Sequence, residues 1–175
     1  QYVYEALEKN PLPQDINYLA VPWAQVINQG LPFPEVKLDG GFTVCQHCDF
    51  EKIIPHLKKI GIDTLFTPHV TKDYEGITVL PYPHFPVNGA DSAKDKALLY
   101  SFAGLDSHPC RKPLFAKFGK KAHTKVIKRE HWHFWNGNVE EEKKEYQELL
   151  AHTRFSLCPR GVGASTIRFW ESLQA

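Results

Sequence analysis

Apolar positions along the chain fall into short blocks whose spacing alternates between strand-like and helix-like. Phe42–Gln46 is a short β-rich run that follows the turn residues Asp39, Gly40 and Gly41. Ile53, Ile54, Leu57 and Ile60 then recur on one helical face. Asp49 predicts a cap for that helix and Gly61 its stop. Pro55 fits such a helix only in the first turn, or as a kink, because proline has no N–H to donate. Thr64–Thr67 predicts a second strand, which ends at Pro68 and His69. Strand, helix and strand in this order predict a βαβ unit with parallel pairing and a right-handed crossover. Tyr18–Val21 and Ile77–Tyr82 read as further strands of the same sheet.

Between Pro81 and Asp95 the pattern breaks. Pro81, Pro83, Pro86 and Gly89 interrupt regular structure, and the stretch from Asp91 to Lys96 is polar, which predicts a linker. Alternation then resumes. Leu98–Ala103 predicts a strand ending at Gly104, Lys112–Phe118 a basic helix, and Thr124–Lys128 the next strand. Glu140–His152 reads as a charged helix with Tyr146, Leu149 and Leu150 inward. A strand at Arg154–Cys158 and a helix at Ser165–Gln174 follow, the latter with Ile167, Trp170 and Leu173 towards the core. The expected fold class is α/β, with two Rossmann-like domains over residues 1–90 and 91–175, the second truncated at its C-terminus.

Composition narrows the class of function. A chain of 175 residues can bury a real core. Its formal net charge of +1 argues against nucleic acid as a partner, which needs a concentrated basic face. No apolar run approaches the ~20 residues of a membrane helix, and the polar start, interrupted by Pro11 and Pro13, is no signal peptide. The chain has no methionine and stops inside a predicted helix, so it is expected to be part of something longer. Nothing in it sets an oligomeric state.

Cys45 and Cys48 have the Cys-x-x-Cys spacing of zinc and redox sites, whereas Cys110 and Cys158 are isolated. A zinc site would have to recruit His47 or a distant histidine. Small buried side chains at a strand end are the commoner use of such cysteines. His131, Trp132, His133, Phe134 and Trp135 form a second cluster. Alternate histidines on a strand could hold a metal, His and Trp could rim a sugar, and a buried aromatic hinge is the preferred reading.

The densest chemistry lies between Phe155 and Glu171. A strand ends at Cys158, a turn with Gly161 and Gly163 follows, and a helix is expected to open near Ser165. Parallel α/β sheets bind ligands where strand ends meet helix starts, and unpaired helix N–H groups suit a phosphate. Arg160 adds a planar fork for phosphate oxygens. Arg168 lies about one turn into the helix and Glu171 one turn beyond, where a carboxylate can accept bonds from ribose hydroxyls. A glycine turn beside an arginine also occurs for turn geometry alone.

Leu157, Cys158, Pro159, Arg160 and Gly161, followed by Ser165, Arg168 and Glu171, resemble the donor-site signature of the exostosin-like glycosyltransferases, glycosyltransferase family 47. Phe102, Ala103 and Gly104 with Arg111 and Leu114 are a second likeness, and Thr43–His47 with Thr67–His69 a weaker one. The resemblance implies a GT-B-like fold, an acceptor-side N-terminal domain, and a C-terminal domain for a nucleotide-sugar donor. A UDP-sugar is favoured. Carried over by position, Arg160 and Gly161 would meet the diphosphate, with Gly163 beside them, Arg111, Ser165 and Arg168 would support phosphate or sugar, and Glu171 would hold the ribose.

A sugar transfer with inversion needs a base for the acceptor hydroxyl and positive groups for the departing diphosphate. No Asp-x-Asp occurs in the chain, so no metal or other cofactor is expected and Arg160 is the expected electrophile. Candidate bases are His47 and His69 at strand ends, with Asp106 and His108 after Gly104. The expected partners are a nucleotide-sugar donor and a carbohydrate acceptor. A non-catalytic nucleotide- or sugar-binding module and a zinc or thiol protein built on Cys45 and Cys48 are the alternatives. Location stays open between cytoplasm and Golgi lumen, with cysteine usage leaning towards the cytoplasm.

Overall fold

The computed structural model describes residue 9, residues 17–84, 86, 88–91, 95–130 and 139–175. The chain divides into two compact units, Gln1–Pro83 and His84–Ala175. The division falls inside the proline-rich stretch that begins at Pro81. Both units are mixed α/β, and each holds a three-stranded parallel sheet.

In the first unit the strands are β1 (Phe42–Val44), β2 (Thr64–Thr67) and β3 (Thr78–Pro81), in the order β1-β2-β3. Phe42 pairs with Thr64, and Thr64 with Thr78. The segment from Tyr18 to Val21, expected as a strand, makes one isolated parallel bridge from Tyr18 to Phe42. Pro22 and a helix follow at once, so no ladder can extend from it. That helix, α1 (Trp23–Gln29), has no counterpart in the sequence reading, although Pro22 before it and Gly30 after it (φ 67°) are start and stop signals. Trp23 and Val26 are buried in the core with Phe50, Ile53, Leu57, Ile62 and Leu65. The Trp23 Nε1–H donates to Thr43 Oγ1 at 2.7 Å, and the Thr43 hydroxyl donates to the Leu19 carbonyl at 2.8 Å.

Asp49 does not cap a helix through its side chain; its carboxylate is drawn to Lys52 Nζ at 2.7 Å. A 3₁₀ turn, Phe50–Ile53, comes first and runs into α2 (Ile54–Ile60). Pro55 therefore sits in the first turn of α2, where a missing N–H costs nothing. Gly61 ends α2 with φ 86°, and its N–H returns to carbonyls of the last turn.

The second unit has β4 (Leu98–Gly104) at the centre, flanked by β5 (Thr124–Lys128) and β6 (Thr153–Ser156). Tyr100 pairs with Thr124 on one side and Phe155 on the other. Between β4 and β5 a 3₁₀ turn, Pro109–Arg111, comes first, and the helix expected over Lys112–Phe118 winds as a π-helix, Leu114–Phe118. Pro109 and Pro113 both lack the N–H that an α ladder would need there. α3 (Val139–Ala151) packs on β4 and β6 and buries Leu149 and Leu150. The last helix, α4, covers only Ile167–Ser172. Leu173 lies beyond it and is 68% exposed, so the inward position belongs instead to Glu171, which is 2% exposed.

Candidate functional site

The carboxyl ends of β4 and β6 lie side by side, and the loops leaving them meet. Leu157 N–H still bonds the Ser101 carbonyl at 2.9 Å, so the loop departs from a fixed strand end. Gly104 closes β4, and the chain from Leu105 to Arg111 folds back over the loop at Pro159–Gly161.

Arg111 is the fastening. It is only 7% exposed, and three N–H groups of its guanidinium are spent on carbonyls. Nε donates to Arg160 O at 2.9 Å, Nη2 to Pro159 O at 3.1 Å and Nη1 to Leu105 O at 2.9 Å. Burial, and then the neighbouring charge of Arg168, push its pKa below that of a free guanidinium. Arg168 also bonds inward, Nη2 to the Ala103 carbonyl. Both guanidiniums lie over the Phe102 ring, at 5.2 Å for Arg111 and 4.4 Å for Arg168. The glycines make room for these cations. A Cβ on Gly161 would come within 2.9 Å of Arg111 Nη2 and 3.3 Å of Ser107 Oγ. One on Gly104 would meet Arg168 Nη2 at 3.3 Å and Arg111 Nη1 at 3.4 Å.

Arg160 behaves differently. Its side chain is exposed, and among the described residues its guanidinium makes one long bond, 3.4 Å to Val162 O. Gly163 and Ser165 lie half-buried in the loop that follows, with Ser165 ahead of α4 and not within it. Among the described residues none of Arg111, Arg160 and Arg168 belongs to an ion pair. Among the described residues two buried donors of α4, Arg168 Nε and Trp170 Nε1, have no acceptor.

Glu171 is already occupied. Oε1 accepts from both the backbone N–H and the side-chain amide of Asn88, each at 3.1 Å, and Oε2 from the Tyr146 hydroxyl at 2.7 Å. Burial pushes the Tyr146 phenol up, and the Glu171 carboxylate adds to that shift. Three donors thus hold the carboxylate expected to receive a ribose. Asn88, Tyr146 and Ser107 belong to no motif in the sequence, and the helical spacing that turns Tyr146 inward is the one signal among them.

The candidate bases fall into two groups. Asp106 is exposed, 3.9 Å from Lys128 Nζ, and His108 is half-buried with Nδ1 accepting the Cys110 N–H at 3.3 Å. Both stand in the loop after Gly104, on the same unit as the arginines. In the first unit, His47 Nδ1 accepts the Asp49 N–H at 3.0 Å, which leaves Nε2 as the donor to Asn28 Oδ1, also at 3.0 Å. His69 is 8% exposed, its backbone N–H bonded to Thr67 Oγ1 at 3.4 Å.

Cys45 is 1% exposed, and burial pushes its thiol up to about 11. Burial followed by the Asp49 charge raises Cys48 too. Among the described residues the ligand atoms that converge are those of His47, Cys48 and Asp49, within 4.8 Å of one another, and Cys45 is not of the group. The four cysteines are free. The cluster from His131 to Trp135 lies outside the described residues.

A parallel α/β unit with a cationic loop at the carboxyl ends of its strands belongs to the class of folds that receive ligands at that edge. Comparison with known proteins gives the class a direction. The chain is 29% identical over 143 residues to human "Ribitol-5-phosphate xylosyltransferase 1", covering 73% of this chain and 32% of that protein. The mouse protein of the same name is 27% identical over the same length. The chain therefore spans about a third of the length of the curated relatives it matches, and both of those relatives are named as glycosyltransferases. No protein-family model matches the chain, and no solved structure matches it. Among the described residues no helix is long and apolar enough to cross a membrane.

Proposed function

We propose that this chain is part of a glycosyltransferase that takes a nucleotide-sugar donor, a UDP-sugar in the first instance, and passes its sugar to a carbohydrate acceptor. One observation carries the reading: the guanidiniums of Arg111 and Arg168 meet beside Gly104 at the end of β4, that of Arg160 is exposed on the adjoining loop, and none of the three has a carboxylate partner among the described residues. Unpaired charge of one sign at a ligand edge calls for an anion, because buried or half-buried charges are ordinarily paired. Arg168 Nε, buried and without an acceptor among the described residues, supports an oxygen-rich ligand beside that guanidinium. The names of the relatives make a pentose, xylose, the sugar to try first.

In the proposed reaction Arg160 meets the diphosphate, with Arg168 and Ser165 beside it. The positive field stabilises the departing nucleotide as the sugar's anomeric bond breaks. No metal is required in this scheme, and the configuration at the anomeric carbon is inverted. Glu171 takes the ribose by exchanging the donors of Asn88 for sugar hydroxyls. Asp106, exposed in the loop after Gly104, removes the acceptor proton. The two units correspond to the two halves of a GT-B enzyme.

The test is a calorimetric titration of the full-length parent protein with UDP, GDP and UDP-xylose, repeated for Arg160→Ala. A diphosphate is expected to bind, and the substitution to weaken it by about 1.5–3 kcal/mol, the range for hydrogen bonds to charged groups. A folded protein that binds no nucleotide would remove the donor-site reading and the glycosyltransferase proposal together.

A further inference from the structure

The geometry points to Arg111 as a positioning residue for the donor loop, one that holds the backbone carrying Arg160 and does not itself touch the diphosphate. This inference rests on the donor-site reading above and assigns a division of labour within it.

A guanidinium has five N–H donors in one plane. Three of those on Arg111 end on carbonyls of two separate loops: Leu105 from the exit of β4, and Pro159 and Arg160 from the exit of β6. Carbonyls leaving the end of a strand have no ladder partner, so their direction is set by whatever donor meets them. Here a single planar group meets three and ties the two exits together. The Phe102 ring lies under the guanidinium, and Gly161 brings the loop backbone so close that a Cβ would strike Nη2. The contact between loop and cation is therefore made by backbone, with no side chain to space them apart. Cys110 Sγ also approaches the Arg160 carbonyl, at 3.7 Å, from the same 3₁₀ turn.

Arg160 has the opposite character: its backbone is held while its side chain is exposed. An anion approaching this loop meets Arg160 first, and the Arg111 plane lies behind, already committed to carbonyls. Lysine at 111 keeps the charge but loses the fork, since one ammonium cannot span three carbonyls in a plane. A residue that acted only through its charge would tolerate that change. One that acts through the fork would not.

The experiment is a double-mutant cycle in the full-length protein, with UDP as the probe and calorimetry as the readout. Arg111→Lys is expected to weaken UDP about tenfold, as does losing a hydrogen bond to a charged group. In an Arg160→Ala background the same substitution is expected to change the affinity less than about twofold, because the side chain being positioned is gone. Gly161→Ala, which disturbs the fork without altering any charge, is expected to reproduce the loss and its dependence on Arg160. Additive effects of Arg111→Lys and Arg160→Ala would overturn the inference, since they would mean that Arg111 contacts the ligand directly. An Arg111→Lys protein with unchanged affinity would overturn it as well. Amide hydrogen exchange across residues 158–164 without nucleotide separates this idea from the reading it rests on. Faster exchange in Arg111→Lys alongside a wild type that binds no UDP would uphold the loop-holding role and sink the donor site. Unchanged exchange would sink the loop-holding role.

Discussion

Glu171 gives the sharpest test of how the second unit is held together. Its carboxylate is 2% exposed and accepts three hydrogen bonds, two from Asn88 and one from Tyr146. Tyr146→Phe removes one donor with almost no change of shape and leaves Oε2 buried without a partner. A bond to a charged group is worth about 1.5–3 kcal/mol, which sets the expected loss. The unit runs from His84 to Ala175, a size at which 1 kcal/mol moves the midpoint by about 4–8 °C. Tyr146→Phe should therefore lower the Tm of this unit by about 6–24 °C. Glu171→Ala should cost more, because it orphans the Asn88 N–H, the Asn88 amide and the Tyr146 hydroxyl together, at about 1–3 kcal/mol for each buried group. Glu171→Gln should cost least. Its amide oxygen can face both Asn88 donors while its NH₂ donates to the Tyr146 oxygen, so the charge and the acceptor of the Tyr146 proton are lost but no carbonyl or N–H of the old network is orphaned. Urea unfolding followed by fluorescence, with the midpoint compared at constant m, measures all three. A Tyr146→Phe loss under about 0.5 kcal/mol, the scale of an ordinary surface change, would show that the carboxylate is solvated and the packing argument wrong. So would Glu171→Gln costing as much as Glu171→Ala.

Two further outcomes follow from the first unit. Gly61→Ala should destabilise it by more than the 1–2 kcal/mol of a left-handed non-glycine residue, because φ is 86° and the new Cβ would fall on the Leu38 carbonyl; a chemical denaturation curve unchanged from wild type would refute this. Cys45, raised to about 11 by burial, should contribute stability that is complete below its unfolded value of 9.0 and lost as the pH climbs from there through 11. The unfolded thiol ionises first, so the unfolded state binds fewer protons over that window and stability falls. A Cys45→Ala protein should lose less stability between pH 9 and 11 than wild type does, and identical pH profiles would contradict the assignment.

Much of the architecture was legible because strand and helix periods are local properties. Thr64–Thr67 and Thr124–Lys128 are strands with the boundaries their β-rich runs predict, and Gly61 ends its helix because only glycine takes that φ cheaply. The short helix at Trp23–Gln29 is not legible in the sequence, because seven residues make a weak periodic signal. The helix expected over Lys112–Phe118 winds as a π-helix from Leu114, and the 3₁₀ turn at Pro109–Arg111 before it gives no periodic signal because it is three residues long.

The chain alone determined which chemical groups are available: the arginines, the glycines between strand and helix, and a carboxylate near the end. Tertiary structure decided what each one does. Arg111, Arg160 and Arg168 are equivalent as letters, yet one is buried against three carbonyls, one is exposed, and one lies over Phe102. Glu171 reads as a ribose-binding acid on a helix expected to bury Leu173, and the fold buries Glu171 and exposes Leu173. A polar group can take an interior position only if distant residues supply its partners, and Asn88, 83 positions away, does so here. Periodicity cannot see such a partner, because the bond that makes burial affordable is formed only when the chain has folded.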